Sequence, residues 1–203
     1  MGFHIKRAIK VSIIRAFIAV DLTPEIYQCL EQVSAQIRQR LGEAPVRWAP
    51  VENIHLTLKF LGDVSLANLE MLKKLLQAEV AGHRIFEISV GGIGSFPTIH
   101  RPRVVWVGVE APPDLGSLQC GIETEMERLG YAREDRPFSA HLTMGRVSRN
   151  ATSQEVRKIG EALDSIKVGF LGVAQIRDVH LYKSDLKPEG AIYTRIFTTP
   201  LHE

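Results

Sequence analysis

Residues 55–58 read HLTL and residues 141–144 read HLTM, so one tetrapeptide pattern recurs 86 positions (141 − 55) along the chain. Both copies lie in stretches typical of β-strands, residues 54–62 and 138–147, and a glycine follows each copy. Side chains alternate between the faces of a strand, so the histidine and threonine of each copy share one face and the two apolar residues share the other. Each copy is therefore predicted to anchor its apolar face in a core and to present an imidazole and a hydroxyl on the opposite face.

The duplication favours one site built from two half-sites. A single strand histidine is more often a surface or hydrogen-bonded core residue, whereas a repeat that keeps both polar and apolar positions indicates a shared use; a duplicated scaffold is the alternative. A pKa near 6.5 allows one imidazole to be neutral and the other charged near neutral pH, as a general base and general acid require. We therefore predict that His55 and His141 are catalytic. Thr57 and Thr143 are predicted to donate hydrogen bonds to a bound anion, ordinary strand threonines being the alternative.

The segments around the repeat predict the α+β class. Strands are predicted at residues 15–22, 54–62, 86–93, 104–110, 138–147, 174–184 and 191–199. Helices are predicted at about residues 24–41, 65–81, 113–129 and 152–163. Two predicted hairpins, 86–93 with 104–110 and 174–184 with 191–199, favour an antiparallel sheet over a doubly wound parallel one. No linker divides the chain, so residues 1–203 are predicted to form a single domain.

Composition sets weak limits on function. The chain is 45% hydrophobic and 24% charged, which is typical of globular proteins, and its net charge of +2 does not by itself indicate a nucleic-acid partner. Arg15 interrupts the apolar N-terminal stretch, and the remaining apolar run is too short to span a membrane, so we predict a cytoplasmic protein without membrane association. Cys29 and Cys120 lack metal-ligand spacing and are predicted to be reduced thiols rather than a disulfide.

The repeat and its surroundings resemble a known superfamily. Besides the two HxTx blocks, the similar stretches are RAFIAVDL, VRWAPVENIHLTLKFLG, PRVVWVGVE, RPFSAHLTMGR, VHLYKSDL and IYTRIF. On these the chain resembles the two-histidine (2H) phosphoesterases, and within them the bacterial and archaeal RNA 2′,3′-cyclic phosphodiesterases (LigT-like), once called 2′-5′ RNA ligases. The resemblance covers roughly residues 14–201, with Ala140 in place of a frequent proline and Met144 in place of a usual leucine. Residues 1–13 fall outside it, and an extra N-terminal leader and an artefact of the assigned start are the two alternatives for them.

The resemblance implies both a fold and a reaction. The implied fold is bilobal, with two pseudo-symmetric antiparallel β-sheet lobes backed by helices and a central groove between the histidines. The implied reaction is hydrolysis of RNA 2′,3′-cyclic phosphate ends, tRNA fragments among them, to 2′-phosphates by a monomer without metal or cofactor; in some relatives the reverse 2′-5′ ligation is detectable. By analogy with the family, His55 is the acid for the leaving 3′-oxygen and His141 is the base for water. The residues alone leave that order open.

Basic and aromatic residues near the two blocks are candidates for RNA contacts. The chosen candidates are Lys59, Arg136, Arg146, Trp48 and Phe60; Tyr182 and Phe138 are further aromatic ones. For any single arginine the alternative is a solvated side chain, and for each aromatic it is a place in the core. Neither block has HExxH or HxH spacing. The scattered histidines are predicted to be structural or solvated, although His180 could approach the groove.

Three other functions remain open at this point. The chain could be an RNA-end binding module without turnover. It could also hydrolyse a small cyclic nucleotide or a 2′-5′ oligoadenylate. A ligase acting in the cell is the third alternative, although no GxxxxGK[ST] signature for ATP is present.

Overall fold

The computed structural model describes residues 12–188 and 190–203. The elements in chain order are β1 (Ile13–Val20), α1 (Pro24–Leu41), β2 (Val46–Trp48), β3 (Leu56–Ser65), α2 (Leu69–Val80), β4 (Phe86–Phe96), β5 (Val104–Glu110), α3 (Pro113–Arg128), β6 (His141–Val147), α4 (Ser153–Ser165), β7 (Phe170–Ile176), β8 (Asp178–Leu186) and β9 (Ala191–Pro200). Within this part of the chain, helices and strands alternate irregularly, which confirms the α+β class.

The strands form one sheet with two similar halves. Its order is β7-β4-β5-β6-β3-β1-β8-β9, with β2 paired to β6, and all of these pairs are antiparallel. The two central strands, β6 and β3, carry the two tetrapeptides and are joined through the pair Leu56 and Leu142. Each motif strand is flanked on its outer side by a strand in the equivalent place, β5 for β6 and β1 for β3. The bilobal antiparallel arrangement is thus built as two halves of one sheet.

All four helices contribute to a core on one face of the sheet. Ile18, Leu56 and Leu142 from the central strands pack into this core. Each helix supplies fully buried side chains to it, of which Leu30, Leu76, Leu118 and Leu163 are examples. Burial of this apolar surface is the main favourable contribution to folding. The opposite face of the sheet, which we call the open face, carries the polar residues of both tetrapeptides.

Most element predictions hold, and three need correction. Helix α1, strand β5, both hairpins and the Thr152–Glu155 capping box are confirmed. The prediction of one strand at residues 174–184 is wrong, because these residues belong to two strands, β7 and β8, which are separated at Arg177. Strand β2 was not predicted, because three half-exposed residues carry almost no periodic signal. Strand β1 begins at Ile13, which pairs with Ser65, so the C-terminal end of the expected leader belongs to the sheet.

Two smaller expectations concern the cysteines and the membrane. Both cysteines are free thiols, as predicted. Within the described ranges, none of the helices has the length and apolar character needed to cross a bilayer. The rest of the expected leader, residues 1–11, lies outside the described residues.

Candidate active site

The two tetrapeptides meet side by side at the centre of the sheet. Because Leu56 pairs with Leu142 in an antiparallel ladder, His55 lies opposite Thr143, and Thr57 lies opposite His141. Both leucines are buried in the core, whereas the four polar residues are half-buried. Diagonal neighbours in such a ladder are about 7–8 Å apart. The register therefore brings two imidazoles and two hydroxyls together on the open face, around a space suited to a small anion.

Both motif strands contain a β-bulge at the same motif position. In β3, Thr57 pairs with Ala19 and Lys59 with Ile18, so Leu58 is the additional residue. In β6, Thr143 pairs with Trp106 and Gly145 with Val105, so Met144 is the additional residue. A bulge turns the residues that follow it relative to strict alternation. The duplication therefore extends from the sequence pattern to the backbone geometry.

The bulge in β3 makes the prediction for Lys59 wrong. Strict alternation would place Lys59 on the open face with His55 and Thr57, but the extra residue turns it toward helix α3. There Lys59 is only 3% exposed. Its Nζ lies 2.5 Å from Glu123 Oε2 and donates to the Ala132 carbonyl at 2.9 Å. Lys59 is thus a buried structural residue and not an RNA contact.

The structure places Trp48 beside the core. Trp48 pairs with Gly145 and packs against the core, and the Arg38 guanidinium of α1 lies 5.5 Å from the centre of its ring. A Cβ on Gly145 would lie 2.9 Å from the indole, so the ring occupies the space that this glycine leaves. These contacts favour the core alternative for Trp48, and an RNA contact by its exposed part stays a prediction.

The remaining RNA-contact candidates are exposed. Phe60 lies on the open face, is 65% exposed, and has its ring centre 6.1 Å from that of Phe17. Arg146 is exposed opposite Arg47 of β2. Arg136 is exposed in the loop before β6 and forms a 3.2 Å ion pair with Glu134. These three residues stay predictions.

Aromatic rings enclose His55. Phe17 stacks on the imidazole with ring centres 4.6 Å apart, and Tyr193 meets it edge-on at 5.3 Å. Burial among these groups lowers the pKa of His55 to about 4, while a hydrogen bond with the Asn53 backbone and the Asp21 carboxylate act in the opposite direction. The imidazole of His55 is therefore neutral near pH 7 in the free protein.

His141 is oriented by a backbone carbonyl. Its Nδ1 lies 2.7 Å from the Ser139 carbonyl oxygen, and Phe96 contacts the ring edge-on at 4.9 Å. When Nδ1 carries the proton and donates it to this carbonyl, Nε2 is the nitrogen left for proton transfer.

We predict that His55 makes the folded protein less stable in acid. Its pKa is about 4 in the folded protein and about 6.5 in an unfolded chain. Between these values the unfolded chain binds the additional proton, so stability is full above about pH 6.5 and falls as the pH drops toward 4, by roughly 2 to 3 kcal/mol from this residue. His180, whose pKa burial also lowers, acts in the same direction.

Urea unfolding across this pH range measures the effect. The free energy of unfolding of His55→Asn should fall less steeply with decreasing pH than that of the unaltered protein. His100→Asn, at an exposed loop position, should keep the original slope. An unchanged slope in His55→Asn would contradict the prediction.

Several residues of the site were not singled out from the sequence. Phe17, Ala19 and Asp21 alternate along one face from strand β1; Phe17 stacks on His55, and Ala19 is fully buried. The alternation in RAFIAVDL was the available signal. His180 is a hydrogen-bonded sheet residue, as predicted, with Nδ1 3.0 Å from Thr198 Oγ1.

In residues 12–188 and 190–203, no three histidine, cysteine, aspartate or glutamate side chains converge in an arrangement that could hold a metal ion.

The fold and the paired motifs define a class, and the chain belongs to the LigT-like phosphoesterase family of the two-histidine superfamily. The family model, described as LigT like Phosphoesterase, matches residues 20–106 and again residues 107–193. Each match contains one tetrapeptide. The two halves of the chain therefore match the same family model, each with its own tetrapeptide.

Curated proteins that are similar to this chain in sequence bear the name RNA 2′,3′-cyclic phosphodiesterase. The chain is 34% identical over 181 residues to that of Methanothermobacter thermautotrophicus, covering 89% of this chain and 95% of the relative. It is 37% identical over 179 residues to that of Archaeoglobus fulgidus, covering 88% and 96%. Among solved structures it is similar to E. coli LigT complexed with 3′-AMP, with a TM-score of 0.76, 25% identity, and coverage of 95% of this chain and 100% of that chain. TT0787 of Thermus thermophilus gives a TM-score of 0.77, 25% identity, and coverage of 92% and 97%.

Proposed function

We propose that this chain hydrolyses RNA 2′,3′-cyclic phosphate ends to 2′-phosphates, with His55 and His141 as a metal-independent acid and base pair. The observation that carries the proposal is the pair between Leu56 and Leu142, which sets both histidines and both threonines around one space. Relatives that bear the name RNA 2′,3′-cyclic phosphodiesterase and match most of the chain support the same reaction.

The reaction moves two protons while one bond forms and another breaks. The oxygen of a water molecule attacks phosphorus as the bond from phosphorus to the 3′-oxygen breaks. The base removes a proton from the water, and the acid gives a proton to the 3′-oxygen. The product has a 2′-phosphate and a free 3′-hydroxyl, and both imidazoles then return to their starting states by exchange with solvent. The Thr57 and Thr143 hydroxyls donate to the two non-bridging oxygens and stabilise the charge that develops there.

We assign the acid to His55 and the base to His141, following the family analogy. His55 is neutral near pH 7 in the free protein because burial lowers its pKa. The negative charge of a bound phosphate favours the protonated imidazole and raises that pKa. His55 therefore acquires its proton together with the substrate, while the carbonyl of Ser139 holds His141 with its other nitrogen free to accept a proton.

The direct test uses a dinucleotide that ends in a 2′,3′-cyclic phosphate. We expect release of the 2′-phosphate isomer, separated from the 3′-phosphate by chromatography, with kcat unchanged in EDTA. Loss of turnover in EDTA and its recovery with zinc would contradict the two-imidazole mechanism. Binding of the dinucleotide without any product would identify an RNA-end binding module instead.

The proposal also includes the RNA substrate, the cellular compartment and the oligomeric state. The proposed substrates are RNA ends such as tRNA fragments, met in the cytoplasm by a monomer. If the 5′-hydroxyl of a second RNA takes the place of water, its oxygen attacks the cyclic phosphate as the bond to the 3′-oxygen breaks, which gives a 2′-5′ phosphodiester and a free 3′-hydroxyl. An assay with high concentrations of a cyclic-phosphate end and a 5′-hydroxyl end measures any such joining.

A further inference from the structure

A row of side chains crosses the open face beside His55. Cross-strand pairs connect Phe60 of β3 with Phe17 of β1, Phe17 with Tyr182 of β8, and Tyr182 with Arg195 of β9. Phe17 stacks on Tyr182 with ring centres 5.3 Å apart and on the His55 imidazole at 4.6 Å. The row therefore runs outward from the catalytic histidine and ends in a cation.

Arg195 is held in place at the end of this row. Its Nε donates to the Tyr182 hydroxyl at 3.3 Å, its Nη2 donates to Asp21, and its Cζ lies 5.8 Å from the centre of the Tyr182 ring. Tyr182 in turn donates to Asp21 at 2.7 Å. Despite these contacts, half of the Arg195 side chain is exposed. Because a guanidinium has five N–H groups, donors remain that point to solvent.

The distances place this guanidinium close to the reacting centre but outside it. The Tyr182 ring is 6.0 Å from the His55 imidazole, and Arg195 Cζ is 5.8 Å from the Tyr182 ring. Phe17 and Tyr182 stand between the two groups, so Arg195 does not face the cyclic phosphate itself. The separation corresponds to one or two nucleotides of single strand.

We propose that Arg195 binds a backbone phosphate of the RNA upstream of the cyclic phosphate, so that the site prefers oligonucleotide ends to mononucleotides. The inference rests on the proposed function. A cyclic phosphate closes the 3′ end of a strand, so any nucleotide that extends beyond the histidine pocket lies on the 5′ side. A phosphodiester is the charged group that every such nucleotide presents, and a fixed guanidinium is suited to bind it bidentately.

The Asp21 carboxylate does not prevent this contact. Asp21 also accepts from Tyr182 and has His180 Nε2 at 3.6 Å, so its charge is distributed over several donors. Its main effect on Arg195 is to fix the guanidinium before the substrate arrives. A side chain that is already ordered loses little conformational entropy on binding.

The test compares two substrates in the full chain. For Arg195→Met, the ratio of kcat/KM on a trinucleotide ending in a cyclic phosphate to that on a mononucleoside 2′,3′-cyclic phosphate should fall about tenfold. The slope of log kcat/KM against log salt for the trinucleotide should become shallower by about 0.7. Arg157→Met is the matched control, because Arg157 lies on α4 and pairs with Glu161; it should keep both values.

The outcomes separate this inference from the proposed function. If the unaltered protein turns over neither substrate, the proposed function fails. If it turns over both and Arg195→Met keeps the original ratio, the inference about Arg195 is wrong. A fall in the ratio without a change in salt slope excludes the phosphate contact. If Arg195→Met unfolds, Arg195→Lys replaces it in the same experiment. The ratio of the two kcat/KM values should again fall, because a lysine ammonium lacks the planar fork that lets a guanidinium bind a phosphate while it contacts Asp21 and Tyr182.

Discussion

Replacement of His55 or His141 by asparagine is expected to lower kcat on a cyclic-phosphate dinucleotide by roughly 10²- to 10⁴-fold while leaving the fold intact. In the proposed mechanism each imidazole moves one of the two protons, and an amide of similar shape moves neither. The two losses should not add in the double variant, because the residues act in one step. His100→Asn, at an exposed position away from the motifs, should keep the original kcat. Full activity in either single variant would exclude the paired mechanism.

A substrate with a better leaving group tests which histidine is the acid. In a cyclic phosphate with sulfur in place of the 3′-oxygen, the leaving thiolate needs no proton donor. His55→Asn should therefore lose much less activity on this substrate than on the oxygen substrate, whereas His141→Asn should lose the same activity on both. If His141→Asn is instead the variant that loses much less activity on the sulfur substrate, then His141 is the acid and His55 is the base. That assignment would agree with the neutral state of His55 in the free protein.

The proximity of His55 and His141 on one face could be predicted from the sequence because its signal is local and duplicated. In each block, four consecutive residues are enough to show which side chains are polar and to predict that these side chains share one face of the strand. The walls of the site carry no such signal. Phe17 lies in a strand so apolar that it was predicted as buried, and its contact with His55 depends on the pairing of β1 with β3. Arg195 reaches the same place only through the pairing of β8 with β9.

The wrong prediction for Lys59 has a different physical origin. Alternation along a strand assumes one residue per pairing step, and the bulge at Leu58 violates that assumption. Leu58 itself is 3% exposed in the core, so the packing of the folded sheet, and not a local propensity, selects the extra residue. The sequence HLTLKF contains no glycine, proline, asparagine or aspartate, so no turn-forming residue indicates the position of the bulge. The same step at Met144 shows that the feature was duplicated with the motif.

The burial of Lys59 leads to the largest expected effect on stability. Lys59→Ala should lower the free energy of unfolding by about 3 to 5 kcal/mol, because Glu123 would be left in a buried site without its charge partner. The Ala132 carbonyl would also lose its donor. Urea unfolding measures the change. Lys73→Ala is the matched control, since the pair between Lys73 and Glu70 lies on the surface of α2, and removing it should cost less than about 1 kcal/mol.

A double variant separates burial from any contact with RNA. Lys59→Met combined with Glu123→Leu replaces the pair by apolar groups and should recover most of the stability lost in Lys59→Ala, since neither charge then remains buried alone. Because Lys59 faces α3 rather than the open face, this variant should also keep the original KM and salt slope for an oligonucleotide substrate. A stable double variant with a raised KM and a shallower salt slope would mean that Lys59 does contact RNA, and that the bulge does not remove it from the site.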